Sequence, residues 1–111
     1  MADKHAERLA EDEGLTSGLG DDEAQVLLTS LRKAVGAATS GKSVKDADAA
    51  YLKIAARGRL VSKVVAAWCI DGEQDEARRL WKAGAGKGTL DALPADDAVA
   101  AVQELLSREG L

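Results

Sequence analysis

Residues 43–70, SVKDADAAYLKIAARGRLVSKVVAAWCI, decide the fold. Their apolar positions Ala47, Tyr51, Ile54, Gly58, Val61, Val65 and Trp68 fall at alternating steps of four and three. That spacing stacks side chains along one face of an α-helix. Ser43, with Asp46 three residues on, forms an N-terminal capping pattern, and Leu52, Leu60 and Val64 widen the apolar face toward several neighbours. A helix of about residues 44–70 would span roughly 40 Å at about 1.5 Å per residue, more than the width expected of so small a domain. The reading therefore marks Gly58 as the place for a break.

The flanking segments read as shorter helices. Asp21 or Asp22 can cap a helix with the stripe Leu27, Leu31, Ala34, Val35 and Ala38, and Gly41 follows as its stop. Asp71, with Gln74 three residues on, can cap the next, which buries Ala77, Leu80 and Trp81 before Gly84 ends it. GAGKGTLDALP (84–94) is a glycine-rich connection with room for one helical turn, and Pro94 or Asp96 opens a last helix with Val99, Val102, Leu105 and Leu106 inward. Residues 2–13 offer only Ala6, Leu9 and Ala10 as an apolar face, and LTSGLG (15–20) reads as a linker. Residues 1–20 are thus expected to be weakly ordered and 21–111 to form a single domain. The fold class is all-α, a compact bundle of four to six short helices around the central one. Phe is absent and the aromatic residues are Tyr51, Trp68 and Trp81, so the core should be narrow and the helices closely packed.

Charge divides the chain into blocks. Residues 32–70 hold eight bases (Arg32, Lys33, Lys42, Lys45, Lys53, Arg57, Arg59, Lys63) against the acids Asp46 and Asp48, whereas 1–31 and 71–111 carry net charges of −6 and −4. Lys53, Arg57, Arg59 and Lys63 have no acid between them, which makes them the candidate partner-binding residues. The bland account of the same residues is pairing with the acidic ends of neighbouring helices. Nucleic acid is an unfavoured partner, because the net charge is −4 and no aromatic residue interleaves with a basic loop.

Three short motifs carry candidate chemistry. Gly36-Ala-Ala-Thr-Ser-Gly41-Lys42-Ser43 fits the pattern G-x-x-x-x-G-K-[ST] and resembles a Walker A loop. The resemblance implies backbone amides around phosphate, Lys42 neutralising it and Ser43 on magnesium, and Val64–Ile70 with Asp71 is similar to that family's apolar strand and aspartate. A phosphate loop follows a buried strand, however, and Leu27–Val35 is spaced as an amphipathic helix that includes Arg32 and Lys33. A helix stop at Gly41 and a cap at Ser43 account for the same residues, so nucleotide binding through Gly36–Ser43 ranks lowest. GAGKGT (84–89) resembles the phosphate loop of nucleoside monophosphate kinases, with Trp81 where the first glycine belongs. Asp71–Asp75 is similar to the start of a calcium-binding loop, but Glu76 and Lys82 occupy the positions of its turn glycine and bidentate glutamate. His5 is the single histidine, so neither a histidine triad nor a multi-histidine metal site is expected. Cys69 reads as a buried, inert thiol.

No catalytic set, cofactor or metal is assigned, and the chain reads as a non-enzymatic protein–protein interaction module, an adaptor or regulator. Opposite charge blocks on one small domain favour self-association, with a second copy or another protein as partner. In bundle size and a possible count of six helices the expected architecture is similar to death-fold adaptor domains, and none of that family's motifs is in the sequence. The alternative is a small acidic inhibitor or immunity-type protein that masks a basic target. The N-terminal residues lack the apolar stretch of a secretory signal, and Leu60–Ile70 is too short to span a bilayer and contains Lys63. A cytoplasmic setting without membrane contact is expected, and the Ala and Gly content suggests a GC-rich bacterial source.

Overall fold

The computed structural model of the protein describes residues 8–9, 11, 15–16, 18–69 and 73–111. His5, Ala6, Ala10, Ile70 and Asp71, and the expectations placed on them, lie outside the described residues. The helices with both ends among the described residues are α1 (Asp21–Thr39), α2 (Val44–Trp68), α3 (Gln74–Ala83) and α4 (Ala98–Arg108); Arg8, Leu9 and Glu11 are also helical, and no strand occurs among the described residues. The chain is all-helical, with α2 packed against the other three helices and α1 also against α4.

α2 runs through Gly58 without interruption, contrary to the expected break. The molecule is elongated, 44 × 26 × 19 Å, so a helix of 25 residues, about 37 Å long, fits along its greatest dimension. Gly58 serves a packing purpose instead. A Cβ there would collide with Leu31 Cδ1 and lie 3.2 Å from Leu31 Cδ2 and 3.3 Å from Leu15 Cδ1. The missing side chain is what lets α1 and the segment around Leu15 close on α2.

The stripe read from the sequence is largely the buried one. Ala47, Tyr51, Gly58, Val61, Val65 and Trp68 are buried, joined by Ala55, Ser62 and Val64, while Ile54 is half-buried. Leu52 is not part of it: the side chain is 59% exposed, because it sits roughly 120° around the helix from Gly58, where no other element covers α2. Leu27, Leu31 and Val35 of α1 meet the α2 stripe, with Thr39 folded back so that its hydroxyl donates to Val35 O at 2.7 Å. Leu9 and Leu15, from the segment before α1, are also buried in this core.

Helix ends follow local chemistry. Ser40 and Gly41 end α1, the glycine at φ +73°, a left-handed position that costs glycine little. Ser43 Oγ accepts from Asp46 N at 3.2 Å and starts α2. The cap before α1 is Gly20, not Asp21 or Asp22, whose carboxylates sit in the first turn and complement the helix dipole. Glu73 precedes α3 without a side-chain cap bond, and Gln74 Nε2 donates to Trp68 O at 3.3 Å, tying α3 to the end of α2. α4 is capped by Asp97, whose carboxylate accepts from Ala100 N, rather than opened at Pro94 or Asp96. Its buried residues are Ala101, Val102, Leu105 and Leu106, with Val99 only half-buried.

The glycine-rich connection contains no helix and is nevertheless pinned. Leu90 and Leu93 are buried, Trp68 Nε1 donates to Leu93 O at 3.3 Å, and Trp81 Nε1 donates to Lys87 O and Gly88 O, each at 3.2 Å. Arg108 reaches from α4 to Thr89 O at 2.7 Å and Lys87 O at 3.2 Å.

Candidate interaction surface

The outward side of α2 is the surface that the bundle leaves uncovered. Lys45, Ala49, Leu52, Ala56, Arg59 and Lys63 are all exposed and recur at steps of four, three, four, three and four. They form a straight seam about 27 Å long, with one leucine between two alanines and cations toward both ends. Lys53 is exposed beside the seam, and a shallow depression at its start is lined by Lys42, Asp46, Ala49, Ala50 and Lys53. Val44 and Leu52, 80% and 59% exposed, are the large hydrophobic residues left open to solvent among the described residues, and both belong to α2.

Of the candidate residues, Lys53, Arg59 and Lys63 lie on this outward side, whereas Arg57 does not join them. Arg57 sits one turn beyond Lys53, rotated by roughly 40° toward the core. Its guanidinium grips Glu109 in a two-point fork, Nε to Oε2 at 2.8 Å and Nη2 to Oε1 at 2.6 Å, and Nη1 donates to Gly84 O. The two side chains are 27% and 10% exposed, so one arginine joins the middle of α2 to the ends of α3 and α4. The hydrogen bonds to Glu109 hold the Arg57 pKa above its ordinary value, more than burial lowers it. For this residue the bland account applies. Among the described residues, Lys45, Lys53 and Lys63 enter no ion pair.

Carboxylates gather at the other end of α2. Burial pushes the Cys69 thiol above its ordinary pKa, and the negative charges of Glu23, Asp96 and Asp97 push it further in the same direction. Those three acids, from the start of α1 and the approach to α4, therefore lie near enough to the C-terminal end of α2 to act on Cys69, with Asp21 and Asp22 in the same first turn of α1 as Glu23. Lys45 and Cys69 are 24 residues apart along one helix and its cap, about 36 Å. The seam runs toward that acidic end, since Lys63 lies six residues, about 9 Å along the axis, before Cys69.

The motif residues have structural placements. Gly36 to Thr39 belong to α1, so the first half of the Walker A pattern is helix, and Ser43 is the cap of α2. In the 84–89 segment the carbonyls of Lys87, Gly88 and Thr89 face the Trp81 indole and the Arg108 guanidinium, and the Gly86 backbone lies so close to the indole that a Cβ would overlap the ring. A cleft of about 290 Å³ beside it is lined by Arg78, Trp81, Lys82, Gly86, Leu90 and Asp91. Arg78 is already engaged there, by Asp75 at 2.8 Å, Asp91 at 3.3 Å and the face of Trp68. Among the described residues no three His, Cys, Asp or Glu side chains gather as metal ligands, and no helix is long and apolar enough to cross a membrane.

No known protein family, curated protein or solved structure matches this chain.

Sequence reasoning passed over the seam, because it treated Leu52 as core. The signal was present: 45, 49, 52, 56, 59 and 63 form a second four-three series out of phase with the buried one. The Arg57–Glu109 pair had no local signal, since 52 residues separate the partners.

Proposed function

We propose that this chain is a non-enzymatic protein–protein interaction module that self-associates, the outward face of α2 on one copy receiving the acidic end of another. The observation that carries this reading is charge left uncompensated on both surfaces. Lys45, Lys53 and Lys63 on one side, and Asp21, Asp22, Glu23 and Asp96 on the other, enter no ion pair among the described residues. Complementary potentials of this kind steer encounter and set orientation more than they add affinity. The contact is head-to-tail, because two seams placed face to face would oppose lysine to lysine. A heterologous contact of this type builds rings or open chains rather than closed dimers.

Sedimentation velocity across a salt series tests the reading. Between about 20 mM and 0.5 M salt the screening length falls from roughly 20 Å to about 4 Å, and the average mass should fall with it to the 11.5 kDa monomer. A charge exchange makes the test specific. Lys45→Glu/Lys63→Glu and Glu23→Lys/Asp96→Lys should each be monomeric, and an equimolar mixture should associate again. A wild-type chain that stays monomeric at low salt and high concentration overturns the self-association. If the acidic end of that monomer instead captures a basic protein, the inhibitor reading takes its place.

A further inference from the structure

We infer that the α2 seam, from Lys45 to Lys63, is a docking groove for an acidic amphipathic helix supplied by a partner protein. This rests on reading the outward face of α2 as a binding surface, but it does not require self-association.

Spacing is the first argument for a helix. Exposed residues at alternating steps of four and three repeat every 3.5 residues, the period at which a second helix stays in register along the first. Relief is the second. Ala49 and Ala56 stand one turn before and one turn after Leu52, so a single knob lies between two shallow holes in which aliphatic side chains of a facing helix can seat. Leu52 is 59% exposed, and its apolar surface gains nothing from a purely polar partner.

Charge defines the occupant. Lys45 and Lys63 mark the ends of the seam and Lys53 flanks its middle, and these lysines enter no ion pair among the described residues. The facing helix therefore carries leucine-like residues along one stripe and glutamate or aspartate beside it, over about five turns. The seam of a second copy is excluded as occupant, since lysines would face lysines. None of the described helices of this chain presents such a face either. The exposed residues of α1 include Arg32 and Lys33, those of α3 are Asp75, Arg78, Arg79, Lys82 and Ala83, and those of α4 are Gln103, Glu104 and Ser107.

The experiment uses the full chain and a synthetic peptide of about three heptads, with leucine at the two core positions of each heptad and glutamate beside them. A second peptide of the same composition, scrambled to remove the heptad, is the control. At about 0.15 M salt, where surface charges are screened beyond roughly 8 Å, the heptad peptide should bind saturably and gain helical circular dichroism. The scrambled peptide should bind at least tenfold more weakly. Leu52→Ala should weaken heptad binding about tenfold, the factor expected from losing the burial of a half-exposed leucine. Lys45→Glu/Lys63→Glu should weaken it further. Equal binding of the two peptides, or binding unchanged by Leu52→Ala, overturns the groove in favour of diffuse charge attraction. Leu52→Ala retains every charge and should leave the pairing of the charge-exchanged variants intact, so the groove and the self-association can fail separately.

Discussion

Two glycines in helix interiors should respond to the same substitution with opposite signs. Replacing a mid-helix glycine by alanine removes backbone entropy from the unfolded chain and contributes about 1 kcal/mol where the methyl group has room. Gly36 in α1 has that room, because a Cβ there meets nothing within 4 Å. Gly36→Ala should therefore stabilise the fold by about 0.5–1 kcal/mol, raising Tm by roughly 4 °C. At Gly58 the same gain is opposed by a collision with Leu31 Cδ1 and tight approaches of 3.2 and 3.3 Å to Leu31 Cδ2 and Leu15 Cδ1. Both leucines are wholly buried and have no open space to swing into, which places the overpacking cost near the upper end of about 1–3 kcal/mol. The net loss for Gly58→Ala is then about 2 kcal/mol, or about 8 °C in Tm. Urea and thermal unfolding followed by helical circular dichroism would measure both. Leu31→Val in the Gly58→Ala background should recover part of the loss, a coupling expected of residues in contact. If Gly58→Ala were as stabilising as Gly36→Ala, the close crossing of α1 over α2 would be wrong.

Other residues give shorter tests. Ser62 is wholly buried and, among the described residues, its hydroxyl has no hydrogen-bond partner, so Ser62→Ala should stabilise the protein by about 1 kcal/mol in the same unfolding assays. Arg57→Lys keeps the charge but loses the planar fork on Glu109, and should cost about 1–3 kcal/mol while the salt dependence of association stays unchanged. The Cys69 thiol is pushed above its ordinary pKa by burial and then by Glu23, Asp96 and Asp97. Alkylation by iodoacetamide near neutral pH should therefore be slower than for an unfolded-chain thiol, and Glu23→Gln/Asp96→Asn should speed it up. The linked effect on stability has a fixed sign. A thiol with its pKa raised in the folded state leaves stability unchanged below its ordinary range and lowers it as pH rises through the shifted value.

What the sequence made legible was local. The four-three series in α2, the cap at Ser43 and the stops at Gly41 and Gly84 each depend on neighbours within a turn or two, and each occurs as read. The misread features depend on what lies across the molecule. Gly58 looks like a helix breaker until the side chains of Leu31 and Leu15 are seen filling the space of its missing Cβ. Ala101 is buried in place of Val99 because of the direction in which α4 faces the core, a tertiary choice that hydrophobicity alone does not make. Leu90 and Leu93 anchor a segment with no helical period, so no pattern marked them as core. The same limit applied to the candidate surface. Charge placed the cations on α2, but only the positions of α3 and α4 determine which cation turns inward.

That division bears on how the charges of α2 should be read as a group. Arg57 and Lys53 are four residues apart in one basic run, yet the arginine is spent on a fixed internal carboxylate while the lysine faces water. The residue types suit the placements: a planar five-donor fork satisfies Glu109 and a backbone carbonyl together, whereas lysines on flexible stems can adjust to a surface they meet only on contact. A mutation scan that scored the basic run as one unit would mix a stability defect at Arg57 with a binding defect at Lys45, Lys53 or Lys63. Salt separates them, because the two-point pair is partly shielded from solvent whereas the outward lysines are fully subject to screening. An association that weakens with salt in the Arg57→Lys protein just as in the wild type would assign the contact to the outward lysines.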